Sequence, residues 1–315
     1  LIFFRENLNG KMKIYNNLII NKKHQNSVVA IGNFDGIHLG HQKVLNRARQ
    51  KAKKNKLPFG VITFEPMPVM FFNKKIKNHR INSLLQKKTQ LKKLKLDFLI
   101  IINFNKKFSK LSAEQFIKKI IFNKTKCEFL YVSNNFKFGF KRKGNTQTLK
   151  KYANSYNYKT MITNPLKKAT KVISSTIIRK KISQGKIYEV NKLLNRNWCI
   201  QGKVIKGHRR GRTIGFPTCN INISDYAMPK LGVYGVKVNN AKFQRKGIAN
   251  IGYRPTFNGQ NLLLEVNIFG INKNLYNKEV NINFIKFIRP EKKFKGLEQL
   301  KKQIKIDIIQ AKKNV

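Results

Sequence analysis

Acidic residues are scarce in this chain. Only 13 Asp and Glu stand against 67 Lys and Arg, which gives a formal net charge of +54 over 315 residues. A charge of this size is typical of proteins that bind nucleic acids or anionic membranes. The lysines, however, are spread along the whole chain, and no recognised nucleic-acid-binding motif accompanies them. We therefore predict a solvated basic surface that attracts polyanionic small molecules, with no specific nucleic-acid partner.

A drift in composition supports this interpretation. Lys, Asn, Ile and Phe are all abundant, and all four have codons rich in A and T. Such a drift explains the four residue types together, whereas nucleic-acid binding explains only the lysines. A non-enzymatic nucleic-acid-binding protein remains the alternative from another functional class, because the charge alone would suit it.

Cysteine is rare and long apolar runs are missing. Cys127, Cys199 and Cys219 are odd in number and form no C-x-x-C pair, which argues against a disulfide framework and a cysteine zinc site. No apolar run approaches the roughly 20 residues that a membrane helix needs, and no signal-peptide core is present at the N-terminus. We expect a protein of the reducing cytoplasm with no membrane partner.

The length predicts two domains, each large enough for its own core. The sequence starts at Leu1, and Met12 is a more natural beginning because a strand pattern follows it soon afterwards. We expect residues 1–11 to be a translation artefact or a disordered extension. The oligomeric state cannot be predicted from the sequence.

Histidine is also rare, and two of the five histidines fall in one motif. The apolar run Val28–Ile31 predicts a strand buried on both faces, followed by a glycine-rich turn and a helix. His38 and His41 are three residues apart on the first turn of that helix, and Gly40 lets a phosphate approach the backbone. Two imidazoles beside free helix amides can stabilise charge on a phosphate, which predicts nucleotidyl transfer. The alternative is a pair of surface histidines.

Strands alternate with helices through the first half, which predicts a parallel sheet. A capping box at Ser112 and Gln115 predicts one helix start, and a surface helix is expected over 84–96. Later, Ser174 or Ser175 caps a helix that carries Arg179 one turn on, so this start predicts a second phosphate cradle. A plain capped helix is the alternative.

The second half has a different pattern. Short apolar runs recur about every ten residues, broken by Gly, Asn and Pro, which predicts a small antiparallel barrel. Gly207 and Gly211 free the backbone to wrap phosphates, with arginines around them. Thr218 and Asn220 offer hard oxygen ligands that suit a magnesium ion carried with ATP. Leu297, Leu300, Ile304 and Ile308 follow at helical spacing and predict a terminal helix.

Glu265 lies in the middle of an apolar strand, Leu262–Phe269. A carboxylate there costs stability unless it is paired or has a function. Glu265 is therefore a candidate general base, and the alternative is a glutamate on the solvent face of an edge strand.

Several strings of the sequence resemble one family. Residues 32–42, G-N-F-D-G-I-H-L-G-H-Q, resemble the H-x-G-H motif in the form found in bacterial bifunctional riboflavin kinase/FAD synthetases, also called FMN adenylyltransferases. Residues 173–179, I-S-S-T-I-I-R, are similar to the family's triphosphate-binding motif. Residues 207–220 resemble its riboflavin kinase motif, with Cys219 in place of Ala. Residues 135–144 resemble its flavin-side segment, with Asn135 in place of Asp.

The resemblance implies a fold and a set of site residues. The fold is α/β plus β, with an N-terminal Rossmann-like nucleotidyltransferase domain and a C-terminal antiparallel barrel with a terminal helix. The implied catalytic residues are His38, His41 and Glu265. The implied nucleotide-binding residues are Gly32, Asn33, Phe34, Asp35, Gly40, Ser174, Ser175, Thr176, Arg179, Gly207, Gly211 and Arg212. The implied flavin-binding residues are Asn135, Phe136, Phe138, Arg142 and Arg289, and the metal ligands are Thr218 and Asn220.

The resemblance further implies two reactions and two functional domains. An adenylyltransferase domain over 12–185 transfers AMP from ATP to FMN, giving FAD and pyrophosphate. A kinase domain over 186–315 phosphorylates riboflavin with Mg-ATP, so FMN and FAD are substrate and product, not prosthetic groups. Two alternatives remain: another nucleotidyltransferase with an unrelated second domain, and a chain whose adenylyltransferase has decayed at Asn135.

Overall fold

The computed structural model describes residues 12–74, 76, 79–168, 171–207, 210–256, 259–271 and 274–315. The expectation for residues 1–11 therefore lies outside the described residues. By its internal contacts the chain divides into two compact units. The described residues of the first unit fall within 12–74 and 87–173, and those of the second fall within 76–86 and 174–315. The functional boundary predicted between residues 185 and 186 stays a prediction.

The described strands and helices follow one another along the chain. The strands are Lys13–Tyr15 (β1), Val28–Ile31 (β2), Phe59–Glu65 (β3), Phe98–Asn103 (β4), Phe129–Ser133 (β5), Lys159–Thr163 (β6), Lys167–Lys168 (β7), Lys171–Val172 (β8), Trp198–Ile205 (β9), Cys219–Asn222 (β10), Gly232–Asn239 (β11), Gln244–Thr256 (β12), Gly259–Ile268 (β13) and Glu279–Arg289 (β14). The helices are Leu39–Asn55 (α1), Pro68–Phe72 (α2), Leu84–Lys93 (α3), Lys106–Ser109 (α4), Ala113–Phe116 (α5), Thr146–Lys151 (α6), Ser175–Ser183 (α7), Ile187–Leu194 (α8), Arg210–Thr213 (α9) and Leu297–Asn314 (α10).

The first unit is built on a parallel sheet in the order β1-β4-β3-β2-β5-β6. All four residues of β2 are buried, as expected for a central strand covered on both faces. From β2 the chain runs through β3 and β4 to one side, and β5 and β6 lie on the other. The strand order therefore reverses beside β2, and ligands of such sheets bind at the carboxyl ends of the strands at this point. The histidine motif follows β2 directly.

The helices of the first unit confirm most of the pattern, with one difference. The sequence pattern places the apolar residues Val44, Leu45, Ala48 and Ala52 on one side of α1, and all four are buried. The capping box of Ser112 and Gln115 is present at the start of α5. After Phe116 the helix continues in the wider π form over Ile117–Thr125. Apolar spacing specifies the buried face but does not distinguish these two windings, since Ile117, Ile120 and Ile121 are buried in either case.

The second unit is a closed antiparallel barrel in the order β10-β13-β12-β11-β14-β9. Its interior is filled by alternate residues of each strand, and the Trp198 ring packs against Phe284 with ring centroids 4.7 Å apart. The Trp198 indole N–H donates to the Ile81 carbonyl at 3.0 Å. Residues 76–86 thus belong to the barrel unit, although they come from the first half of the sequence.

The surface helix predicted over 84–96 is shorter and more buried than expected. Helix α3 ends at Lys93, and it buries Gln86, Lys87 and Leu91. Gln86 Nε2 donates to the Cys199 carbonyl at 3.0 Å, and the Tyr226 hydroxyl donates to Gln86 Oε1 at 3.1 Å. The lysine-rich pattern conceals these contacts because Gln86 and Lys87 are polar residues that a sequence pattern assigns to the surface.

One ion pair fixes α10 against the barrel. The Arg289 guanidinium donates to both carboxylate oxygens of Asp307, at 2.7–3.0 Å. Gln303 Nε2 donates to the same carboxylate at 2.9 Å. Asp307 is 2% exposed, so these donors replace the water that its carboxylate loses on burial.

Asp307→Ala is expected to lower the free energy of unfolding of the barrel unit by about 3 kcal/mol, because it leaves a largely buried guanidinium without its partner. Urea unfolding followed by fluorescence measures this change, since the single tryptophan, Trp198, lies in the barrel. Glu298→Ala removes an exposed ion pair with Lys301 on the same helix, and should change stability by less than about 0.5 kcal/mol. Equal effects of the two variants would contradict the prediction.

Candidate functional site

The two motif histidines stack at the start of α1. His38 is the N-cap of the helix, and its Nδ1 accepts a hydrogen bond from the His41 backbone N–H at 3.3 Å. The two rings are stacked with centroids 3.7 Å apart and an interplanar angle of 19°. His38 therefore precedes the first turn and uses one helix amide, whereas the sequence predicted both histidines on that turn beside free amides.

Gly40 allows this close packing. A Cβ at Gly40 would lie 3.1 Å from the His38 ring and 3.3 Å from the Ile173 carbonyl oxygen. Ile173 is the last residue of the first unit and immediately precedes the predicted cradle that begins at Ser174. Because Gly40 has no side chain, the His38 ring can pack against it, and the backbone at Ile173, which leads to the second motif, can approach closely.

The turn between β2 and α1 is fastened to β3. The Gly32 N–H donates to the Ile62 carbonyl at 3.1 Å, and the Thr63 hydroxyl donates to the Asn33 carbonyl at 3.2 Å. Phe34 is buried at φ 47°, and its ring meets the His41 ring edge-on at 5.4 Å. These bonds orient the turn at the carboxyl end of β2. In the same turn Asp35 is 3% exposed, whereas the Asn33 side chain is exposed.

The environment of His41 disfavours its charged form. Burial is the main cause that holds the pKa of His41 well below 6.5, and the nearby His38 and Lys87 add to it. The Nδ1 atom of His41 is buried and has no hydrogen-bond partner among the described residues. His41 is thus a neutral imidazole at neutral pH with an unused polar atom.

The second motif of the first half forms the start of α7. The Ser174 hydroxyl accepts a hydrogen bond from the Ile177 N–H at 3.3 Å, which confirms Ser174 as the N-cap. Ser175 is the first helical residue, Thr176 is exposed and Arg179 is half-buried. Residues 174–179 belong to the second unit by their contacts.

The sequence analysis missed a third histidine near this motif. Burial, together with the charges of Arg179 and Arg80, lowers the pKa of His79 to about 4. His79 carries no motif around it, so no signal in the sequence could have identified it.

The aromatic segment after β5 divides between core and surface. Phe138 is 6% exposed and packs on Phe116, with ring centroids 5.2 Å apart. Phe136 stacks on Phe138 at 5.5 Å and stays half-buried. Asn135 is exposed and accepts a hydrogen bond from the Ser133 hydroxyl at 2.8 Å, and Arg142 is exposed. Phe138 therefore has a core-packing role, and Phe136 is the partly accessible ring of the pair.

A row of polar side chains crosses the barrel strands. Asn220 of β10 is directly opposite Glu265 of β13, and Glu265 is directly opposite Asn250 of β12. Directly opposite residues point to the same face of a sheet, so the three side chains lie side by side. Asn220 is 7% exposed, and its Oδ1 has no hydrogen-bond partner among the described residues. Asn250 was not singled out in the sequence, because an asparagine in a strand carries no distinctive pattern.

Glu265 lies on the outward pleat of its strand. Leu262, Leu264, Val266 and Ile268 alternate with it and are buried in the barrel interior, whereas Glu265 is half-buried on the opposite side. The continuous apolar run therefore concealed a regular alternation, with Leu263 on the outer face. The strand is nevertheless paired on both sides, which contradicts the alternative of an edge strand.

Two glycines before β10 lie against this row and its neighbour Thr218. A Cβ at Gly207 would overlap the Asn220 side-chain amide, and one at Gly211 would lie 3.2 Å from the Thr218 hydroxyl oxygen. Asn267 Nδ2, two residues beyond Glu265, donates to the Pro217 carbonyl at 2.7 Å. The loop, Thr218 and the polar row thus form one patch. His208 and Arg209 lie outside the described residues, as does the side chain of Arg212.

Arg289 lies on a different side of the barrel and is already bound. Asn250 is opposite Val233, and Val233 is opposite Arg289, so Arg289 is three strands from Glu265 in a closed ring of six strands. Its guanidinium is held by Asp307 and the Pro290 carbonyl. Its contacts support a structural role, and its flavin-binding role stays a prediction.

The donor set of this patch fits a cation that accompanies a nucleotide. The orphaned Asn220 Oδ1 and the exposed Thr218 hydroxyl are hard oxygen donors of the kind that Mg²⁺ binds. Within the described ranges no three His, Cys, Asp or Glu side chains cluster as a metal site. Such an ion would therefore need phosphate oxygens or water to complete its coordination shell.

Comparison with known proteins assigns the family. A family profile described as FAD synthetase matches residues 20–177, and one described as riboflavin kinase matches residues 194–315. A bifunctional riboflavin kinase/FMN adenylyltransferase from Buchnera aphidicola subsp. Schizaphis graminum is 41% identical over 300 residues, which cover 93% of this chain and 96% of that protein. The chain belongs to the bifunctional riboflavin kinase/FMN adenylyltransferase family. The resemblance and the fold class predicted from the sequence are thereby confirmed.

Two further proteins are similar to this chain over most of its length. The protein of the same name from Escherichia coli K12 is 33% identical over 286 residues, covering 90% of this chain and 91% of that protein. A crystal structure of a protein described as a macrolide-efflux protein from Streptococcus pneumoniae matches with a TM-score of 0.84 at 30% identity, over 96% of this chain and 98% of that one. None of the helices in the described part of this chain is both long and apolar enough to span a membrane.

The histidines provide a test of the electrostatics. We expect His41 and His79 to remain neutral at pH 6, because burial and neighbouring cations lower both pKa values. NMR titration of the five imidazoles measures this directly, with His41→Gln and His79→Gln to assign the signals. A midpoint for His41 at or above pH 6.5 would show that its site is open to water.

Proposed function

We propose that this chain makes FAD from riboflavin in two ATP-dependent steps, each at its own site. The polar row of the barrel supports phosphorylation of riboflavin to FMN and ADP. The stacked histidines support transfer of AMP from a second ATP to FMN, giving FAD and pyrophosphate. The observation that carries the proposal is the presence of both arrangements in a chain that two family profiles match in succession.

In the kinase step, Glu265 acts as the general base. Its carboxylate accepts the proton of the ribityl 5′-hydroxyl, whose oxygen attacks the γ-phosphorus of ATP, and ADP leaves. Glu265 stands between Asn220 and Asn250 in the strand pairing, on the same face as both. The residues around Gly207 and Gly211 bind the phosphates through their backbone, and Arg212 supplies charge. Thr218 and Asn220 would hold Mg²⁺, which supplies charge neutralisation of the phosphates when bound.

In the adenylyl transfer, an FMN phosphate oxygen attacks the α-phosphorus of ATP and pyrophosphate leaves. His38 and His41 donate hydrogen bonds to the oxygens on which negative charge increases. The Gly32–Asp35 turn and Gly40 bring the nucleotide against the backbone. Ser174, Ser175, Thr176 and Arg179 bind the triphosphate. No covalent enzyme intermediate is needed, because positioning and charge stabilisation suffice.

The proposal also covers the flavin contacts, the bounds of the two domains and the cellular compartment. Phe136 stacks on the isoalloxazine ring, and Asn135 keeps a hydrogen-bond acceptor without the charge of the family's Asp. Arg142 contacts the FMN phosphate. The adenylyltransferase extends over 12–185 and the kinase over 186–315, and both act in the cytoplasm.

The direct test is chromatography of the products formed from riboflavin, ATP and magnesium. The proposal requires that FMN and then FAD accumulate, with ADP and pyrophosphate in matching amounts. FMN without FAD would show that only the kinase has survived, which is the alternative raised by Asn135. Formation of neither product would contradict the proposal.

Single substitutions should separate the two activities. His41→Ala is expected to lower FAD formation from FMN at least about 100-fold, because a donor to the transition state is lost. Glu265→Gln keeps the side-chain shape and should lower FMN formation by about 10²–10⁴-fold. Each variant should keep the other activity, measured separately with FMN or riboflavin as substrate.

The controls are two exposed residues, Gln50→Ala on α1, the helix that carries His41, and Glu279→Ala on β14, another strand of the barrel, which should leave both activities unchanged. Loss of both activities in a folded His41→Ala or Glu265→Gln variant would argue against separate sites.

Gly207→Ala tests the loop of the barrel site. Its added methyl group would overlap the Asn220 amide, so we expect kinase kcat/KM to fall at least about 10-fold, with a higher magnesium requirement and unchanged adenylyl transfer. Gly296→Ala is the matched control, because no atom lies within 4 Å of a Cβ at that position. Normal magnesium dependence in Gly207→Ala would remove Asn220 from the proposed ligands.

A further inference from the structure

Lys87 is a fully buried lysine next to the histidine motif. Its exposed fraction is 1%, although the chain has many lysines that remain in water. Lysine is among the residues least often buried, because removing an ammonium group from water is costly. A lysine in this position therefore calls for an explanation beyond composition.

A short chain of hydrogen bonds joins Lys87 to the motif. The Lys87 ammonium donates to the Thr63 hydroxyl at 3.5 Å, and that hydroxyl donates to the Asn33 carbonyl at 3.2 Å. Thr63 is fully buried on β3. Asn33 belongs to the turn that leads from β2 to the two histidines. All of these residues lie in the first unit.

The charge of Lys87 also acts on the histidine pair. Lys87 and His38 are the charged or titratable groups that lower the pKa of His41 in addition to burial. The uncharged Phe34 ring covers another side of His41. The buried carboxylate of Asp35 lies in the same turn and carries the opposite charge.

We propose that Lys87 is a positioning residue of the adenylyl-transfer site, which fixes the Asn33 turn through Thr63 and adds positive charge beside the histidine pair. This inference rests on the proposed function. The ammonium group acts through Thr63 and His41 and needs no contact with a substrate. The positive potential of Lys87 would stabilise the negative charge that develops on the α-phosphate oxygens. This electrostatic interaction is stronger inside the protein, where the polarisability is low, than in water.

Three substitutions separate the charge from the hydrogen bond. Lys87→Met keeps the length of the side chain and removes both. Lys87→Arg keeps the charge. Thr63→Val keeps the volume of Thr63 and removes the hydroxyl that links Lys87 to Asn33. Lys92→Met, an exposed position on the same helix, is the matched control.

FMN adenylyltransferase kcat/KM is measured against pH for each variant, with riboflavin kinase activity as an internal standard. Lys87→Met should lower adenylyl transfer by about 10- to 100-fold. Burial and His38 still lower the pKa of His41 in this variant, but the contribution of Lys87 is lost. That pKa therefore rises, and the acidic limb of the profile moves to higher pH. Lys87→Arg should keep the limb in place. Thr63→Val should lower kcat/KM without moving the limb. Kinase activity should be unchanged in all variants.

Wild-type adenylyl transfer and an unmoved acidic limb in Lys87→Met would overturn the inference. If Lys87→Met fails to fold, Thr63→Val and Lys87→Arg test the inference in its place. A normal kcat/KM for adenylyl transfer in Thr63→Val would then overturn the inference. A fall in both activities together with a lower melting temperature and an unmoved limb would assign Lys87 a purely structural role, which also overturns it. Absence of FAD formation by the wild-type chain would instead refute the proposed function.

Discussion

The shortage of negative charge constrains this protein more than any other feature. With 13 acidic residues against 67 basic ones, most cations have no carboxylate to pair with, so the potential around the molecule is positive. The histidines show the local effect: after burial, His38 and Lys87 lower the pKa of His41, and Arg179 and Arg80 lower the pKa of His79. A bound polyphosphate would relieve this repulsion, so repulsion in the free protein favours binding of anionic substrates.

The few carboxylates that are buried or half-buried therefore occupy informative positions. Asp307 pairs with Arg289 and fixes the terminal helix, Asp35 is buried in the turn before the histidines, and Glu265 stands between two asparagines on the barrel. The two asparagines are uncharged, and Glu265 is the one carboxylate in this polar row.

Much of the fold could be predicted from local sequence patterns, and the features that could not be predicted have physical causes. β2, α1, the Ser112 capping box and the Ser174 cap could be predicted because each depends on residues near in sequence. Sequence alone did not reveal that residues 76–86 join the barrel unit, since the Trp198–Ile81 bond connects positions 117 residues apart. Glu265 was assigned to an apolar strand interior because leucines occupy both pleats, and only strand pairing shows which face is outside.

Both candidate sites use glycine in the same way. Sequence reasoning assigned Gly40 and Gly207 to close approach of a phosphate. In the structure, the space left by each missing side chain is bordered by a candidate functional group: the His38 ring beside Gly40, and the Asn220 amide beside Gly207. Each glycine thus sets the position of a neighbouring side chain, in addition to exposing backbone. This explains why a motif match predicts geometry as well as chemistry, since the glycines and the polar residues depend on one another sterically.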